Sequence, residues 1–209
     1  DALTEAHQTC HKSVFLLLGV SRRQEVHGIV RLAMADSLCT PMIAGKFAKF
    51  RQAYPHVSLQ VTTAGTDELF RLLDHNEVEL VCTMDTQIYD ATDVIASEEK
   101  IGVHVVVSTK HPLAKKNKVT LQDLKDQSFI LTEKGMSYRR MLDESLARHA
   151  MELHPVLQIG SADLICKLVS ENQGVSFLPD YVTEKAVRDC EVACLKVEGL
   201  DVYVWKQLL

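Results

Sequence analysis

No stretch of this chain is long and apolar enough to span a bilayer. The longest apolar run near the start, Val14 to Val20, only reaches the minimum for a signal-peptide core, and no small-residue cleavage pattern follows it. A cytoplasmic address is therefore expected. Basic residues are also in short supply. Lys and Arg number 23 against 28 Asp and Glu, giving a formal net charge of -5. A sequence-independent grip on nucleic-acid phosphates needs a cationic excess that these residues lack. No repeat period and no low-complexity tract stands out. With 209 residues and 46% hydrophobic content the chain can bury one large core or two smaller ones.

The common catalytic signatures are missing as well. There is no Gly-x-Ser-x-Gly elbow, and the nine histidines form no His-Glu-x-x-His zinc pattern. His7, Cys10 and His11 cluster near the start without a second ligand pair downstream, so no metal site and no cofactor are expected. The six cysteines, Cys10, Cys39, Cys82, Cys166, Cys190 and Cys194, are scattered in a chain too large to need disulfide staples. They read as reduced thiols. Cys190 and Cys194 share a spacing that would suit a redox pair on a helix, but two ordinary structural thiols are the preferred reading. Nothing here supplies a matched acid and base, and the chain is expected not to be an enzyme.

What is present is an alternation of strands and helices. Apolar, β-rich runs occur at Ile29–Ala35, Val57–Thr62, Leu80–Thr83, His104–Ser108, Phe129–Leu131, Val156–Ile159, Val175–Leu178 and Val202–Trp205. Segments with apolar residues at helical spacing lie between most of them, such as Ile43, Phe47 and Phe50, then Leu69, Leu72 and Leu73. This order implies an α/β fold, with sheets covered on both faces. After Asp85 the alternation breaks, as it would at a crossover between two sheets. Residues 26–100 with about 195–209 are expected to form a first lobe and residues 101–194 a second, with residues 1–25 as a connecting helix and tether.

Three helices are expected to start alike, directly after a strand and with a hydroxyl residue as the cap: Thr40 before Pro41, Thr66 before Asp67 and Glu68, and Ser161 before Ala162 and Asp163. Such turns sit at the carboxyl ends of strands, where free N–H groups and positive helix ends favour ligands with carboxylate or other acceptor groups. Ser37 lies just ahead of Thr40, and Thr83 and Thr132 end two other strands. Ser37, Thr40, Thr66, Thr83, Thr132 and Ser161 are thus the candidate binding residues. Any one of them also has an ordinary role in capping or turn formation. Arg139 and Arg140 either fork onto a ligand carboxylate or pair with Asp143 or Glu144, and the second is preferred. The basic run from Lys110 to Lys118 reads as a solvated loop.

Three motifs carry a family resemblance. The run FAKFRQAYPHVSLQVTTAGTDELFRLLDHNEVELVCT, Phe47 to Thr83, combines a helix ending in Phe-Arg-x-x-Tyr-Pro with a strand, a turn, a helix and a strand. HPLAKKNKVTLQDLKDQSFIL, His111 to Leu131, contains His-Pro-Leu and Leu-x-Asp-Leu, and GVSFLP, Gly174 to Pro179, gives Gly-x-x-x-Leu-Pro. In this order they resemble the effector-sensing half of LysR-type transcription regulators. The resemblance implies two Rossmann-like lobes joined by crossover strands, as in type 2 periplasmic binding proteins, with a small-molecule effector, anionic or acceptor-bearing, between the lobes. It implies effector contacts at Ser37, Thr66 and Ser161, a homodimer of this fragment, a tetramer in the full-length protein, and DNA contact only through a preceding helix-turn-helix. Asn76 and Glu79 depart from the family's usual Gly and Asp before the third strand. The rival reading is a secreted solute-binding protein of the same fold, which the missing export signal and the six cysteines argue against.

Overall fold

The computed structural model describes residues 27–44, 46–89 and 94–209. The expected tether at residues 1–25, with His7, Cys10 and His11, lies outside the described residues. The chain is α/β and divides into two compact units. The first contains residues 27–83, 94–97 and 208–209, and the second contains 84–89 and 98–207. The expected boundaries differ from these. Residues 84–89, 98–100 and 195–207 fall in the second unit, and the changes after Thr83, Ser97 and Gln207 lie within strands.

In the first unit, β1 (Gly28–Met34) lies between β2 (Val57–Thr63) and β3 (Leu80–Asp85), parallel to both. β3 is buried along its whole length, as a parallel strand covered on both faces should be. A turn at Asp36–Leu38 and the helices α1 (Cys39–Ile43), α2 (Phe47–Ala53) and α3 (Thr66–Asp74) follow the strands. The apolar face of α3, Leu69 and Leu72, packs with Ala33, Val78 and Val81. Phe50 of α2 and Tyr54, the residue just after it, are both buried with ring centroids 5.6 Å apart, so the Phe-Arg-x-x-Tyr-Pro segment is a packing device. Asn76 has φ 54°, a left-handed conformation that Asn tolerates. It therefore supplies the left-handed residue that follows the end of α3.

The second unit is built on β4 (Ser97–Ser108), which is antiparallel to β8 (Ser176–Pro179) and β9 (Val192–Leu195) and also pairs with β11 (Val202–Leu208). Short parallel pairs form between β6 (Ile130–Leu131) and β7 (Leu157–Gln158), and between β5 (Val119–Thr120) and β10 (Val197–Glu198). The helices are α4 (Leu121–Leu124), α5 (Ser137–Ala147), α6 (Ala162–Ser170) and α7 (Asp180–Arg188). Val106, Ile130, Ile165, Val169, Leu178 and Val192 lie in one buried core.

The motif segments each have a physical reason. At His-Pro-Leu, the His111 ring Nδ1 accepts from Leu113 N at 3.2 Å and caps a short 3-10 turn. In Leu-x-Asp-Leu, Asp123 Oδ2 accepts from Thr120 N at 2.9 Å and from Thr120 Oγ1 at 3.0 Å, which closes the start of α4. Gly174 must be small, because a Cβ there would lie 2.7 Å from the Ser128 carbonyl oxygen. Among the described residues no helix is long and apolar enough to cross a membrane.

Candidate functional site

Strand register places the candidate residues. In the first unit Met34 pairs with Thr63 and with Cys82, and the ladder continues through Ala64 N to Met34 O at 3.2 Å and Ala35 N to Cys82 O at 3.3 Å. Ser37, three residues past Met34, and Thr66, three residues past Thr63, therefore leave adjacent strands at the same carboxyl edge. Thr83 follows Cys82 at that edge. Ser37 and Thr66 are half-buried, Thr40 is exposed and Thr83 is fully buried.

Two of the three expected caps are displaced. Thr40 lies inside α1, whose N-cap is Leu38, because the 3-10 turn at Asp36–Leu38 runs directly into the helix. Thr66 is the first residue of α3 and the extended Gly65 is its N-cap. Ser161 does cap α6, with its hydroxyl accepting from Leu164 N at 3.3 Å.

In the second unit, Leu131 pairs with Gln158, so Thr132 and Ser161 both follow the carboxyl ends of β6 and β7. Thr132 is only 2% exposed, and among the described residues its Oγ1 is the buried side-chain oxygen without a hydrogen-bond partner. Its carbonyl, by contrast, accepts from Arg139 Nη1 at 3.0 Å. Arg139 is itself buried, and its Nε donates to both carboxylate oxygens of Asp143 at 3.0 Å. Arg139 thus has the expected acidic partner, but in a buried pair and not in the surface pair that the sequence suggests. For Arg140, however, the shorter bond is to Asp85 Oδ1 at 2.6 Å, with Glu144 at 3.6 Å.

The pairing of Arg140 with Asp85 was not foreseen. No local pattern signals it, since the two residues are 55 apart. It belongs to a set that holds the segment after β3. Ser137 Oγ donates to the Met84 carbonyl, and the Gln207 amide both accepts from Ile88 N at 2.7 Å and donates to Ile88 O at 3.0 Å.

The other chemical candidates are placed more simply. Among the described residues no group of three or more His, Cys, Asp or Glu could hold a metal ion. Cys190 occupies a turn with φ 58° after α7, while Cys194 lies in β9. At about 3.3 Å per extended residue their Cα atoms are held well beyond the roughly 7 Å limit for a disulfide, so the helical redox pair is not formed. Burial pushes the Cys166 thiol up to about 11, with Asp163 adding to the effect. Although Cys194 as a residue is exposed, its Sγ lies 3.5 Å from Thr183 Oγ1 and burial of the sulfur raises its pKa.

A family model described as LysR substrate binding domain matches residues 23–206. A probable nitrogen assimilation transcriptional activator of Synechococcus elongatus is 24% identical over 163 residues, covering 76% of this chain and 52% of that protein. The chain thus spans about half the length of that curated relative. Among solved structures, the cofactor-binding domain of the Cbl transcriptional regulator has a TM-score of 0.71 at 18% identity, covering 91% of this chain and 83% of that one. The CcmR regulatory domain of Synechocystis PCC6803, solved in complex with 2-PG, has a TM-score of 0.69 at 20% identity, covering 87% and 86%. These structural likenesses carry the fold.

Proposed function

The chain belongs to the LysR substrate-binding domain family, and from that premise we propose that it senses a small metabolite on behalf of a longer DNA-binding transcription regulator. The observation that supports the binding reading is that Ser37 and Thr66 each follow, by three residues, the paired strand ends Met34 and Thr63 of β1 and β2. Such an edge offers hydroxyls and free N–H groups to an acceptor-bearing ligand. In the second unit Thr132 and Ser161 make a matching pair. We assign effector contact to these four residues. Thr40 and Thr83 are flanking positions, the first exposed on α1 and the second buried within β3, two residues before its end.

The ligand acts by binding one arrangement of the module better than another. DNA contact, and a cytoplasmic address, belong to the full regulator in this reading. Relatives described as transcription regulators support it over a secreted solute-binding protein. The module works as a homodimer and the full regulator as a tetramer. Exposed Phe47 and Val61 in the first unit supply apolar surface for such pairing. A strictly monomeric mass by light scattering at high concentration would remove the dimer.

Thermal-shift screening of the chain with 2-PG and other small phosphorylated or carboxylated metabolites should find a binder, followed by calorimetry on variants. Ser37→Ala and Thr66→Ala should each weaken binding by about 0.5–1.5 kcal/mol for a neutral acceptor and about 1.5–3 kcal/mol for a charged one. Unchanged affinity in the double variant would place the effector elsewhere.

A further inference from the structure

A cavity of about 360 Å³ opens in the second unit, at the far end of α5 from Ser137. Its size is near the lower end of the range for small-molecule pockets, about 300–1,000 Å³. Ser145, Arg148 and His149 line one side, from the last turn of α5 and the residues just after it. Val197, Leu200 and Asp201 line the other, from the turn between β10 and β11. The turn is tight: Leu200 N donates to Val197 O at 3.1 Å, and Gly199 has φ +83°. A Cβ on Gly199 would lie 3.5 Å from the His149 ring, ordinary contact, so it is the positive φ that favours glycine at this turn.

The polar groups of this cavity are unused by the protein. Ser145 is 3% exposed, and its hydroxyl has no hydrogen-bond partner among the described residues. Arg148 and Asp201 take part in none of the ion pairs found among those residues, although both are exposed. A bare anion would be attracted by Arg148 but repelled by Asp201 and by the negative end of α5. A bare cation would meet the opposite balance. A molecule carrying both charges satisfies both, with an apolar floor at Val197 and Leu200 for a short side chain.

We propose that this cavity is a second ligand site, distinct from the strand-edge hydroxyls, that takes a free α-amino acid. The carboxylate is held by Arg148 with Ser145 Oγ donating to it, and the ammonium is held by Asp201 and the α5 carboxyl end. His149 forms the wall beside the turn.

The test is calorimetric titration of the 209-residue chain with the common L-amino acids one at a time, using propionate and propylamine as half-ligands. At least one amino acid should bind one to one, and neither half-ligand should match it. Arg148→Met and Asp201→Asn should each weaken binding about tenfold or more, the range of a lost charge-assisted contact. Ser145→Ala should weaken it severalfold. All three leave the fold intact by circular dichroism, since Arg148 and Asp201 are exposed and alanine is the best helix former at position 145. Ser37→Ala and Thr66→Ala should leave this binding unchanged. The proposal is overturned if no amino acid binds at about millimolar concentration, or if binding survives both charge substitutions. It is equally overturned if binding is lost only in the Ser37 and Thr66 variants, a result that would assign the amino acid to the strand edge and leave the effector reading standing.

Discussion

Replacing Thr132 by valine removes one buried oxygen and little else. The β-branch is kept, so the strand-end backbone and χ1 preference are preserved, and the Thr132 carbonyl remains available to Arg139 Nη1. The preceding residues Phe129, Ile130 and Leu131 are all at most 3% exposed, so the new methyl enters an apolar setting. A buried hydroxyl without a partner costs about 1–3 kcal/mol, and that cost disappears in the variant. Urea unfolding should therefore show the ligand-free Thr132→Val chain to be more stable by about 1 kcal/mol or more. For a chain of this length that corresponds to a rise in Tm of about 2–4 °C per kcal/mol. Effector affinity should move the other way, falling by about 0.5–1.5 kcal/mol as a neutral donor is lost. Opposite signs in the two measurements are the signature of a polar group kept for binding at the expense of folding. A variant that unfolds more easily would refute the unpartnered hydroxyl, and unchanged effector affinity would refute its contact with the ligand.

Two further outcomes follow from titratable groups. The His111 ring accepts from Leu113 N only when its Nδ1 is unprotonated, and burial lowers its pKa below the ordinary 6.5. The folded state then binds fewer protons than the unfolded one, so this contribution is complete above about pH 6.5 and is lost as the pH falls below it. Urea midpoints measured from pH 7.5 to 5.5 should decline, and less steeply in His111→Asn, whose amide oxygen keeps an acceptor without titrating. A decline of equal slope in both proteins would place the pH dependence elsewhere. The cysteines should separate by reactivity: exposed Cys190 reacts first with a thiol reagent at pH 8, while Cys166, pushed up to about 11 by burial, stays unmodified until the chain unfolds. Rapid peroxide-driven loss of two hydrogens at Cys190 and Cys194 would contradict the extended path between them.

Much of the strand order was legible because parallel and central strands are continuous apolar runs. Leu80 to Asp85 is buried throughout, and only its last two residues were missed. β4 was harder. Its first residues, Ser97 to Lys100, are largely exposed and include two glutamates, so the polar half of a twelve-residue strand reads as a loop. It is held by contacts distant in sequence, with Lys100 over the Tyr203 ring and Lys206 paired with Glu99. Helix caps were misplaced at Thr40 and Thr66 because a cap depends on the local dihedral angles of one residue, and Gly65 and the 3-10 turn supplied the start instead.

The site hydroxyls survive those errors for a physical reason. What brings Ser37 and Thr66 together is the pairing of Met34 with Thr63, not the identity of the residue that caps either helix. A shift of one residue in a helix start leaves them at the same edge. A slip of one residue in the strand ladder would exchange the two buried faces of β1 and drive Leu32 and Met34 into the space that the smaller Ala33 fills against α3. The energy that protects the register therefore also protects the position of the two strand ends that Ser37 and Thr66 follow. The contact of Asp85 with Arg140 lies beyond such reasoning from sequence, since the register of the strand edges does not determine which distant side chain meets a given carboxylate.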